Sequence, residues 1–568
     1  MKKTAKGMLL AGLALSVVLS GSIVTAKDNN TKKPQSKNLI VLIGDGMGPA
    51  QVSAARLYAK TRMGKEHLNL DAYYVGQATT YADKGEDGGK IVSGAVTDSA
   101  SAGTAFATGN KTYNAAISVS NEDVSKPYAS VIEAAEMSGK STGLVTTARI
   151  THATPAVYAS HVRSRDNEAA IASQYLESGV DVLLGGGQQF FLSKDEKGKR
   201  SDKSIINDFT AKGYKHVTDA ASLKALTSKN SKVIGLFNSS HIAYTPDRDA
   251  KTPSLAAMTG KALEVLSSNK NGFAIMIEGG RIDHASHAND FPSTIQETLD
   301  FDAAVKVAMD FAKKDGNTSI VITADHETGG LSLSRDNIYE LNIDQWGKQK
   351  HSSESIANTL KEAGTIADIK KIVAANTGIT DLSDEEAQQI LDGDGSSYGR
   401  EGGYNAVISK RLLVGWAGHG HSGVDVGVWA YGPISSKVKG QIDNTGIALA
   451  SAEIIGVDLK KATAQLQSKH LYPKFKVSRE GAVLYPVQAL VQALGGKYKS
   501  DAAAVILSKG NRTVSINKST LAVKVNGTAA SYKADLDNGA YYLPLDAFSK
   551  LTGSALKWDA LSERIILK

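Results

Sequence analysis

The fold of this chain is constrained most by short apolar runs that alternate with helical patterns over residues 39–431. Short runs that are apolar throughout are typical of strands covered on both faces. The pattern predicts an α/β fold, a three-layer sandwich with helices on both faces of a large, mainly parallel sheet. The predicted strands are residues 39–43, 143–147, 180–184, 233–237, 273–277, 319–323 and 426–431, and a helix is predicted over 254–267.

The last hundred residues form a separate unit by sequence. Residues 485–495 recur as 543–553, and each copy combines a strand end, a helix that starts after proline and a glycine stop. We therefore predict a large domain over 27–468 and a small α+β module over 469–568. A polar, glycine-rich stretch at 340–410 lacks clear periodicity and is predicted to be an insertion in the large domain.

The N-terminus predicts export. Three lysines within the first six residues precede an uncharged run over 7–26, which ends in Val24-Thr25-Ala26, residues of the kind that a signal peptidase accepts. Residues 1–26 are therefore predicted to be a signal peptide and the protein to be secreted or extracellular. An uncleaved membrane anchor is the alternative, because the run is long enough to span a bilayer.

The chain contains no cysteine. A thiolate nucleophile, a thiolate metal ligand and a stabilising disulfide are therefore all excluded. The available metal ligands are His, Asp, Glu and hydroxyl side chains, the set that suits zinc or magnesium.

Charge is distributed unevenly along the sequence. The chain has 65 basic and 58 acidic residues, and 14 of the basic and 7 of the acidic ones lie between residues 471 and 568. The formal excess of +7 therefore belongs to the C-terminal module, which indicates a partner different from that of the large domain.

Three predicted strands run directly into carboxylates. Asp45 follows the first strand, Glu278 follows the run at 273–277, and Asp325-His326 follow the run at 319–323. One such acid is most often a loop residue or a helix cap. Because the carboxyl ends of parallel strands meet at one edge of a sheet, three together predict a functional site there.

Ser99 lies in the segment Val96-Thr-Asp-Ser-Ala-Ser-Ala-Gly-Thr104, whose small residues can enter a helix that Gly109 would close. Ser99 would then stand at a helix N-terminus, where free N–H groups and the helix dipole favour an anion. Taken alone, such a segment is most often an ordinary Asp-Ser helix cap.

Two further segments supply metal-ligand types. In Glu278-Gly-Gly-Arg-Ile-Asp-His-Ala-Ser-His287 an aspartate and a histidine are four residues apart, so on a helix both can bind one metal ion. The segment Gly418-His-Gly-His-Ser-Gly423 adds two imidazoles. Several histidines interleaved with acids at strand ends indicate a metal site.

Together these segments resemble the alkaline phosphatase family. The Ser99 segment, Asp45-Gly-Met-Gly, Glu278-Gly-Gly-Arg-Ile-Asp-His, Thr323-Ala-Asp-His and His421-Ser-Gly occur in the order of that family. The resemblance covers roughly residues 37 to 460. It implies an alkaline phosphatase-like fold and a phosphoric monoester hydrolase that acts through a phosphoserine intermediate at Ser99.

The resemblance also implies two zinc sites that would favour the ionised hydroxyl of Ser99, activate water and stabilise the departing oxygen. The implied ligands are Asp283, His287 and His421 for the first zinc ion and Asp45, Asp325 and His326 for the second.

A third implied site holds magnesium on oxygen donors, with Asp45 as a bridge and Glu278 and Thr154 as the other ligands. His152 and His284 stand where one bacterial branch of the family has Asp and Lys, so the chain resembles the His/His branch. Nitrogen ligands favour zinc or cobalt, and either metal would replace magnesium at such a site.

The resemblance assigns Arg165 to hold two phosphate oxygens with its planar fork and Asp98 to orient it. Spacing alone leaves Arg163 as a competing candidate. His419 has no assigned role and is interpreted as a partner of a metal-binding histidine.

Phosphate monoesters are the expected substrates, and no specific nucleic-acid partner is expected. A phosphodiesterase or mutase of the same superfamily is the alternative within enzymes, and a sulfatase is disfavoured because no cysteine can become formylglycine. Related enzymes are often homodimers, which gives a homodimer as a further expectation.

The C-terminal module resembles the copper amine oxidase N-terminal-like domain. The name implies no copper here, because no histidine follows His470. The basic excess of the module favours attachment to anionic cell-wall polymers and so association with the cell surface. A plain surface-exposed spacer is the alternative.

Overall fold

The computed structural model describes residues 35–84 and 94–567, and the predicted signal peptide lies outside them. The strands are β1 Asn38–Gly44, β2 Tyr74–Ala78, β3 Val124–Ser125, β4 Ser141–Arg149, β5 Val182–Gly186, β6 Lys215–Val217, β7 Val233–Leu236, β8 Phe273–Gly279, β9 Thr318–Thr323, β10 Glu327–Thr328, β11 His421–Ser422, β12 Val426–Tyr431, β13 Gly440–Ile442, β14 His470–Pro473, β15 Lys476–Val477, β16 Val483–Pro486, β17 Lys497–Ser500, β18 Ala504–Lys509, β19 Arg512–Asn517, β20 Ala522–Val525, β21 Thr528–Lys533, β22 Asp535–Asp537, β23 Ala540–Pro544, β24 Lys557–Asp559 and β25 Arg564–Ile566.

The α-helices are α1 Pro49–Met63, α2 Ser99–Thr108, α3 Val131–Met137, α4 Ala153–Ala156, α5 Glu168–Ser178, α6 Ile206–Ala211, α7 Ala220–Lys224, α8 Leu255–Leu266, α9 Arg281–His287, α10 Phe291–Asp315, α11 Ile343–Trp346, α12 Ser353–Leu360, α13 Ile366–Thr377, α14 Asp384–Asp392, α15 Arg400–Arg411, α16 Thr445–Ile455, α17 Leu459–Gln467, α18 Val487–Ala493 and α19 Leu545–Thr552.

A ten-stranded sheet forms the centre of the large domain, in the order β13-β2-β12-β9-β1-β8-β4-β5-β7-β6. All seven predicted strands lie in it, which confirms the predicted fold class. Neighbouring strands are parallel except at β12, which is antiparallel to both β2 and β9. The sheet is therefore mixed at one side and parallel from β9 to β6.

Helices cover this sheet as the alternation predicts. The predicted helix at 254–267 is α8, which Ser254 caps by accepting a hydrogen bond from the Ala257 N–H group. Helices α8 and α10 pack on each other and on the central strands, while α2, α3 and α16 form a second packed group. The central strand β1 is buried at every residue, as a strand covered on both faces must be.

The stretch at 340–410, which lacks clear periodicity in the sequence, contains five helices, α11 to α15. Their apolar residues share a separate hydrophobic core with Phe291 and Ile295 of α10. The helix starts are marked by capping boxes at Thr365 and Ser383, whose side chains accept from backbone N–H groups three residues later. The missing signal was periodicity, because these helices are short and polar on their outer faces.

The C-terminal module is a small β-rich unit with its own hydrophobic core. A five-stranded antiparallel sheet, β17 to β21, packs against α19. The repeat predicted from the sequence corresponds to β16 with α18 and to β23 with α19, and β16 and β23 pair with each other. β14 pairs with β3 of the large domain, and Arg564 forms an ion pair with Glu177 at 2.8 Å.

Within the described residues, none of the helices combines the length and the apolar character that a bilayer crossing requires.

Candidate active site and metal centre

The carboxyl ends of β9, β1 and β8, which are adjacent in the sheet, bring the predicted acids together. Asp45 directly follows β1, Glu278 is the sixth residue of β8, and Asp325 lies two residues beyond β9. All three side chains are fully or almost fully buried. The parallel register therefore places three carboxylates at one edge of the sheet, as the strand-end pattern predicts.

Gly46 permits this close approach. Its φ is +68°, and a Cβ atom there would lie 2.8 Å from both the Cα of Asp283 and the Oγ1 of Thr328. Its N–H group donates to Oδ1 of Asp325 at 3.0 Å. Glycine is required here because any side chain would separate the turn after β1 from the other acid-bearing segments.

Helix α9 supplies the predicted Asp-His pair. Asp283 and His287 are one turn apart, and Oδ1 of Asp283 lies 3.2 Å from Nε2 of His287. His421 reaches the same carboxylate at 3.6 Å because β11 pairs with β10, with His421 opposite Thr328. Thr328 donates to Oδ1 of Asp283 at 2.5 Å, which holds the carboxylate in place.

Ser99 is the first residue of α2, and Asp98 caps that helix by accepting from the Ser101 N–H group at 2.9 Å. The helix ends at Gly109, which has a left-handed conformation. The hydroxyl of Ser99 is buried and lies 3.1 Å from Nε2 of His326. The candidate nucleophile thus stands at a helix N-terminus and contacts one of the predicted zinc ligands.

Two groups of ligand atoms correspond to the predicted zinc sites. One contains all three predicted ligands of the second site, and the other contains two of the three predicted for the first. Asp45, Asp325 and His326 present ligand atoms that all lie within 4.8 Å of one another, which is the predicted second set. Asp283, His326 and His421 form another such group. The rings of His326 and His421 stack at 3.5 Å between centroids, so the two groups are adjacent.

His287 lies beside the other two predicted ligands of the first zinc site. Its Nε2 lies 3.1 Å from Nε2 of His421. Imidazole nitrogen and carboxylate oxygen are ligands that zinc binds, so His287, His421 and Asp283 would together hold a zinc ion.

A third group joins Asp45, Glu278 and His152, whose ligand atoms also lie within 4.8 Å of one another. Thr154 donates to Oδ2 of Asp45 at 3.4 Å, and the hydroxyl of Thr146 donates to Glu278. The predicted oxygen ligands therefore lie close to one another. A ring nitrogen of His152 belongs to the same group of ligand atoms.

Buried atoms without a hydrogen-bond partner support metal binding. Oδ1 of Asp45, Oδ2 of Asp325, Oε1 of Glu278 and Nδ1 of His152 are all buried and unpartnered. A buried polar atom without a partner costs about 1–3 kcal/mol, which a bound cation would remove. The donor set of oxygen and imidazole nitrogen, without thiolate, fits zinc and magnesium.

The pKa values of the buried carboxylates also support metal binding. Burial, reinforced by the neighbouring carboxylates of Asp325 and Asp283, raises the pKa of Asp45 well above its ordinary value. Burial also raises the pKa of Glu278 to about 7. Carboxylates that resist ionisation because they are buried and lie close to one another mark a place where a divalent cation is favoured.

Arg165 lies beside this centre. Its Nη1 donates to Oδ2 of Asp98 at 3.0 Å, and its Nη2 lies 3.1 Å from Nε2 of His152. Burial acts to raise the pKa of Asp98, but the Arg165 charge and the hydrogen bonds from Ser101 and Arg165 together outweigh it, so the pKa is lowered. Arg163 instead donates to the carbonyl groups of Glu122 and Tyr472, so the geometry favours Arg165 as the phosphate ligand.

His284 and His419 occupy different surroundings. His284 belongs to a histidine cluster, with its ring centroid 5.3 Å from that of His152. Nδ1 of His419 donates to the backbone carbonyl of His287 at 2.7 Å, and its Nε2 lies 3.2 Å from Asp394 in the helical stretch at 340–410. His419 therefore contacts a predicted ligand-bearing residue without reaching the ligand groups themselves.

Sequence reasoning missed His241. Its ring centroid lies 4.2 Å from that of His284 and 5.6 Å from that of His152. It accepts from the Arg149 N–H group at 3.2 Å. His241 follows β7 closely, so its place beyond a strand end was the one available signal, but a single histidine among serines carries no motif.

Known proteins are similar to this chain in sequence and in fold. The Alkaline phosphatase family model matches residues 36–456. The chain belongs to the alkaline phosphatase family. Alkaline phosphatase 3 of Bacillus subtilis (strain 168) is 40% identical over 471 residues, which cover 79% of this chain and 96% of that relative. The enzyme is accordingly an alkaline phosphatase, a phosphoric monoester hydrolase.

Solved structures of alkaline phosphatases have the same fold. The cold-active alkaline phosphatase from the psychrophile Shewanella sp. has a TM-score of 0.65 at 35% identity and covers 74% of this chain and 99% of that chain. Thermus thermophilus alkaline phosphatase has a TM-score of 0.66 at 29% identity, with 76% of this chain and 95% of that chain covered. The Copper amine oxidase N-terminal domain model matches residues 469–567, so this alkaline phosphatase carries an appended module.

Proposed function

We propose that this alkaline phosphatase is a secreted enzyme that hydrolyses phosphate monoesters through a covalent phosphoserine at Ser99. The observation that carries the proposal is the position of the Ser99 hydroxyl, at the N-terminus of α2 and 3.1 Å from His326 within a cluster of metal-ligand side chains. Secretion is proposed from the lysines and the uncharged run over residues 7–26.

We propose a first zinc site at Asp283, His287 and His421. A second zinc site would comprise Asp45, Asp325 and His326. The third site would use Asp45, Glu278 and Thr154 and hold magnesium, or zinc or cobalt where the His152 nitrogen contributes. When bound, these cations would stabilise the ionised Ser99 oxygen, the attacking water and the departing alcohol oxygen.

The residues of this chain would act in two steps. Ser99 Oγ attacks phosphorus, the new Oγ–P bond forms as the bond to the alcohol oxygen breaks, and the alcohol leaves with a proton. Water then attacks the phosphoserine, so phosphate is released and the hydroxyl of Ser99 is restored. A helix N-terminus stabilises negative charge, so the start of α2 would favour the phosphoryl group throughout.

Arg165 would hold the phosphoryl group in line. Its guanidinium has a fork geometry that matches two phosphate oxygens, and its Nη1 is already fixed by Asp98 at 3.0 Å. Because the Asp98 carboxylate holds this one nitrogen, the guanidinium is oriented before substrate arrives. This orientation lowers the entropic cost of substrate binding. Asp98 is therefore proposed as a positioning residue.

Hydrolysis rates on a monoester and a diester test the substrate class. The enzyme should hydrolyse p-nitrophenyl phosphate much faster than bis-p-nitrophenyl phosphate, because Arg165 and the α2 N-terminus favour a terminal phosphate with two free charges. Faster cleavage of the diester would replace this proposal with the phosphodiesterase alternative. Secretion is tested by the N-terminal sequence of the enzyme from culture medium, which should begin after Ala26.

A further inference from the structure

We propose that the C-terminal module binds a phosphodiester-linked anionic polymer on the solvent-facing side of its five-stranded sheet. This sheet side, here called the outer face, comprises the outward residues of β17 to β21, including Lys497, Lys499, Lys524 and Lys533. The proposal rests on the proposed phosphomonoesterase function, because such an enzyme would leave the internal diesters of its own anchor intact.

Strand alternation defines the outer face. Val505, Leu507, Val514 and Ile516 are fully buried and belong to the core of the module, which includes residues of α19. Residues between them in sequence point to the opposite side of the sheet. The strand register gives one row across the outer face, which runs through Lys499, Ile506, Ser515, Lys524 and Ala529.

The charge of the chain is concentrated in this sheet. Residues 497–533 contain seven basic residues and a single acid, Asp501. That acid accepts hydrogen bonds from the N–H groups of Ala503 and Ala504 in its own turn. The sheet thus carries a net charge of +6 out of the +7 of the whole chain.

Ion pairs engage several cations elsewhere in the module. Lys476 pairs with Asp535, Lys550 with Asp546, and Arg564 with Glu177 and Asp559. In contrast, the four outer-face lysines form no ion pair with any described residue. Two further cations of the sheet, Lys509 and Arg512, donate to the backbone carbonyl groups of Leu494 and Thr552. The four outer-face lysines therefore remain available to an external anion.

The lysines are spaced to contact a chain of anions. Lys497 and Lys499 are two residues apart on β17, so their Cα atoms lie about 7 Å apart. Lys524 lies three strands away in the row of Lys499, a separation of roughly 14 Å. Between them the outer face carries small or hydroxyl side chains such as Ser515, with Ile506 38% exposed. The surface between the lysines therefore leaves room for a flexible polymer to lie across the sheet.

The composition of the outer face disfavours nucleic acid. Single-stranded nucleic acid is usually held by aromatic side chains on which bases stack, and Tyr498 and Tyr532 occupy inward positions. The outer positions of the five strands carry no aromatic residue. Lysine ammonium groups are compact point charges that suit isolated phosphates, and several weak contacts along one polymer add up to firm attachment.

Binding to poly(glycerol phosphate) tests the proposal with the full-length enzyme. The variant has Lys497→Gln, Lys499→Gln, Lys524→Gln and Lys533→Gln together. The matched control has the same net-charge change at exposed lysines of the large domain, namely Lys215→Gln, Lys224→Gln, Lys229→Gln and Lys251→Gln. Affinity is measured over a salt series from 50 to 200 mM, concentrations chosen because salt dependence reports phosphate contacts.

The wild type and the control should bind with similar affinity and a clear salt dependence. The outer-face variant should bind at least tenfold more weakly at low salt, and its slope of log affinity against log salt should fall by about 3. Equal loss in the control would show that net charge alone decides binding and would overturn the proposal. Unchanged binding by the outer-face variant would overturn it as well.

Two comparison polymers test the chemistry of the partner. Binding to polyglutamate or to single-stranded DNA as tight as to poly(glycerol phosphate) would overturn the assignment of a phosphodiester polymer. Turnover of p-nitrophenyl phosphate should be unchanged in both variants. If the wild type bound the polymer but did not hydrolyse this monoester, the proposed function would fail while the binding surface remained supported.

Discussion

His287 and His419 each hydrogen-bond to the backbone carbonyl of the other through ring Nδ1. This reciprocal pair directs Nε2 of His287 toward Asp283, at 3.2 Å. The ring of His419 is itself held by Oδ2 of Asp394 at 3.2 Å and stacks on Tyr398. The helical stretch at 340–410 therefore reaches the proposed first zinc site through His419.

Replacing His419 with alanine should weaken zinc binding at the first site by roughly 10- to 100-fold, as for other residues that orient metal-bound histidines. The measurement is the zinc affinity, determined by competition with a chromogenic chelator. His67→Ala, which removes an exposed histidine, is the control and should retain wild-type affinity. Zinc affinity equal to that of the wild type in His419→Ala would show that His287 needs no support from His419.

Arg165→Ala should raise KM for p-nitrophenyl phosphate by roughly 10- to 100-fold, because charge-assisted hydrogen bonds contribute about 1.5–3 kcal/mol. Arg163→Ala should change KM little, since Arg163 contacts Glu122 and Tyr472 away from the site. Steady-state kinetics of both variants check the assignment. A larger KM change for Arg163→Ala would reverse the roles of the two arginines.

His152→Asp should shift the third site toward magnesium, because the change replaces a nitrogen donor near Asp45 and Glu278 with an oxygen donor. Magnesium content after dialysis against a limiting mixture of zinc and magnesium measures the preference. The same content in the variant and the wild type would mean that His152 does not contact the third metal ion.

Glu136 lies outside the site and gives a stability prediction. Burial raises its pKa to about 7 in the folded state, while its carboxylate accepts from Thr142 at 2.7 Å. A carboxyl with a raised folded pKa binds more protons when folded, so its contribution to stability falls as pH rises from about 4.5 to 7. Glu136→Gln should therefore raise Tm relative to the wild type at pH 8 more than at pH 5.

Thermal unfolding at the two pH values measures this difference. Glutamine keeps the shape of glutamate and can still accept from Thr142, so packing should change little. A Tm difference that is the same at pH 5 and pH 8 would mean that Glu136 is not protonated preferentially in the folded protein.

The sequence predicted the strands that are apolar on both faces and missed those at or next to the edges of the sheet. Strands β2, β6 and β13 are short and partly exposed, so they lack the continuous apolar run that marks β1. The helices between residues 340 and 410 were not predicted, because the sequence marks them only by capping residues such as Thr365. Local sequence patterns therefore predict the strands of the buried core. They predict less well the short, partly exposed strands and the helices that pack around that core.

The site was predictable to the extent that each ligand lies in a motif. Asp45 and Asp325 follow apolar strands, and Asp283 and His287 share a helix face, so sequence spacing indicated both pairs. His241 could not be assigned because its contact with His284 joins segments far apart in the chain. Contacts of this kind depend on the packing of loops, which spacing along the sequence does not determine.

The central claim is that Ser99 is the nucleophile, and turnover of p-nitrophenyl phosphate by Ser99→Ala with its full metal content tests it most directly. Thr108→Ala, which removes a hydroxyl from the other end of the same helix, is the matched control. Turnover should fall by about three orders of magnitude or more in Ser99→Ala, with a small residual rate from the remaining site. Turnover near the wild-type rate in that variant would contradict a covalent phosphoserine mechanism.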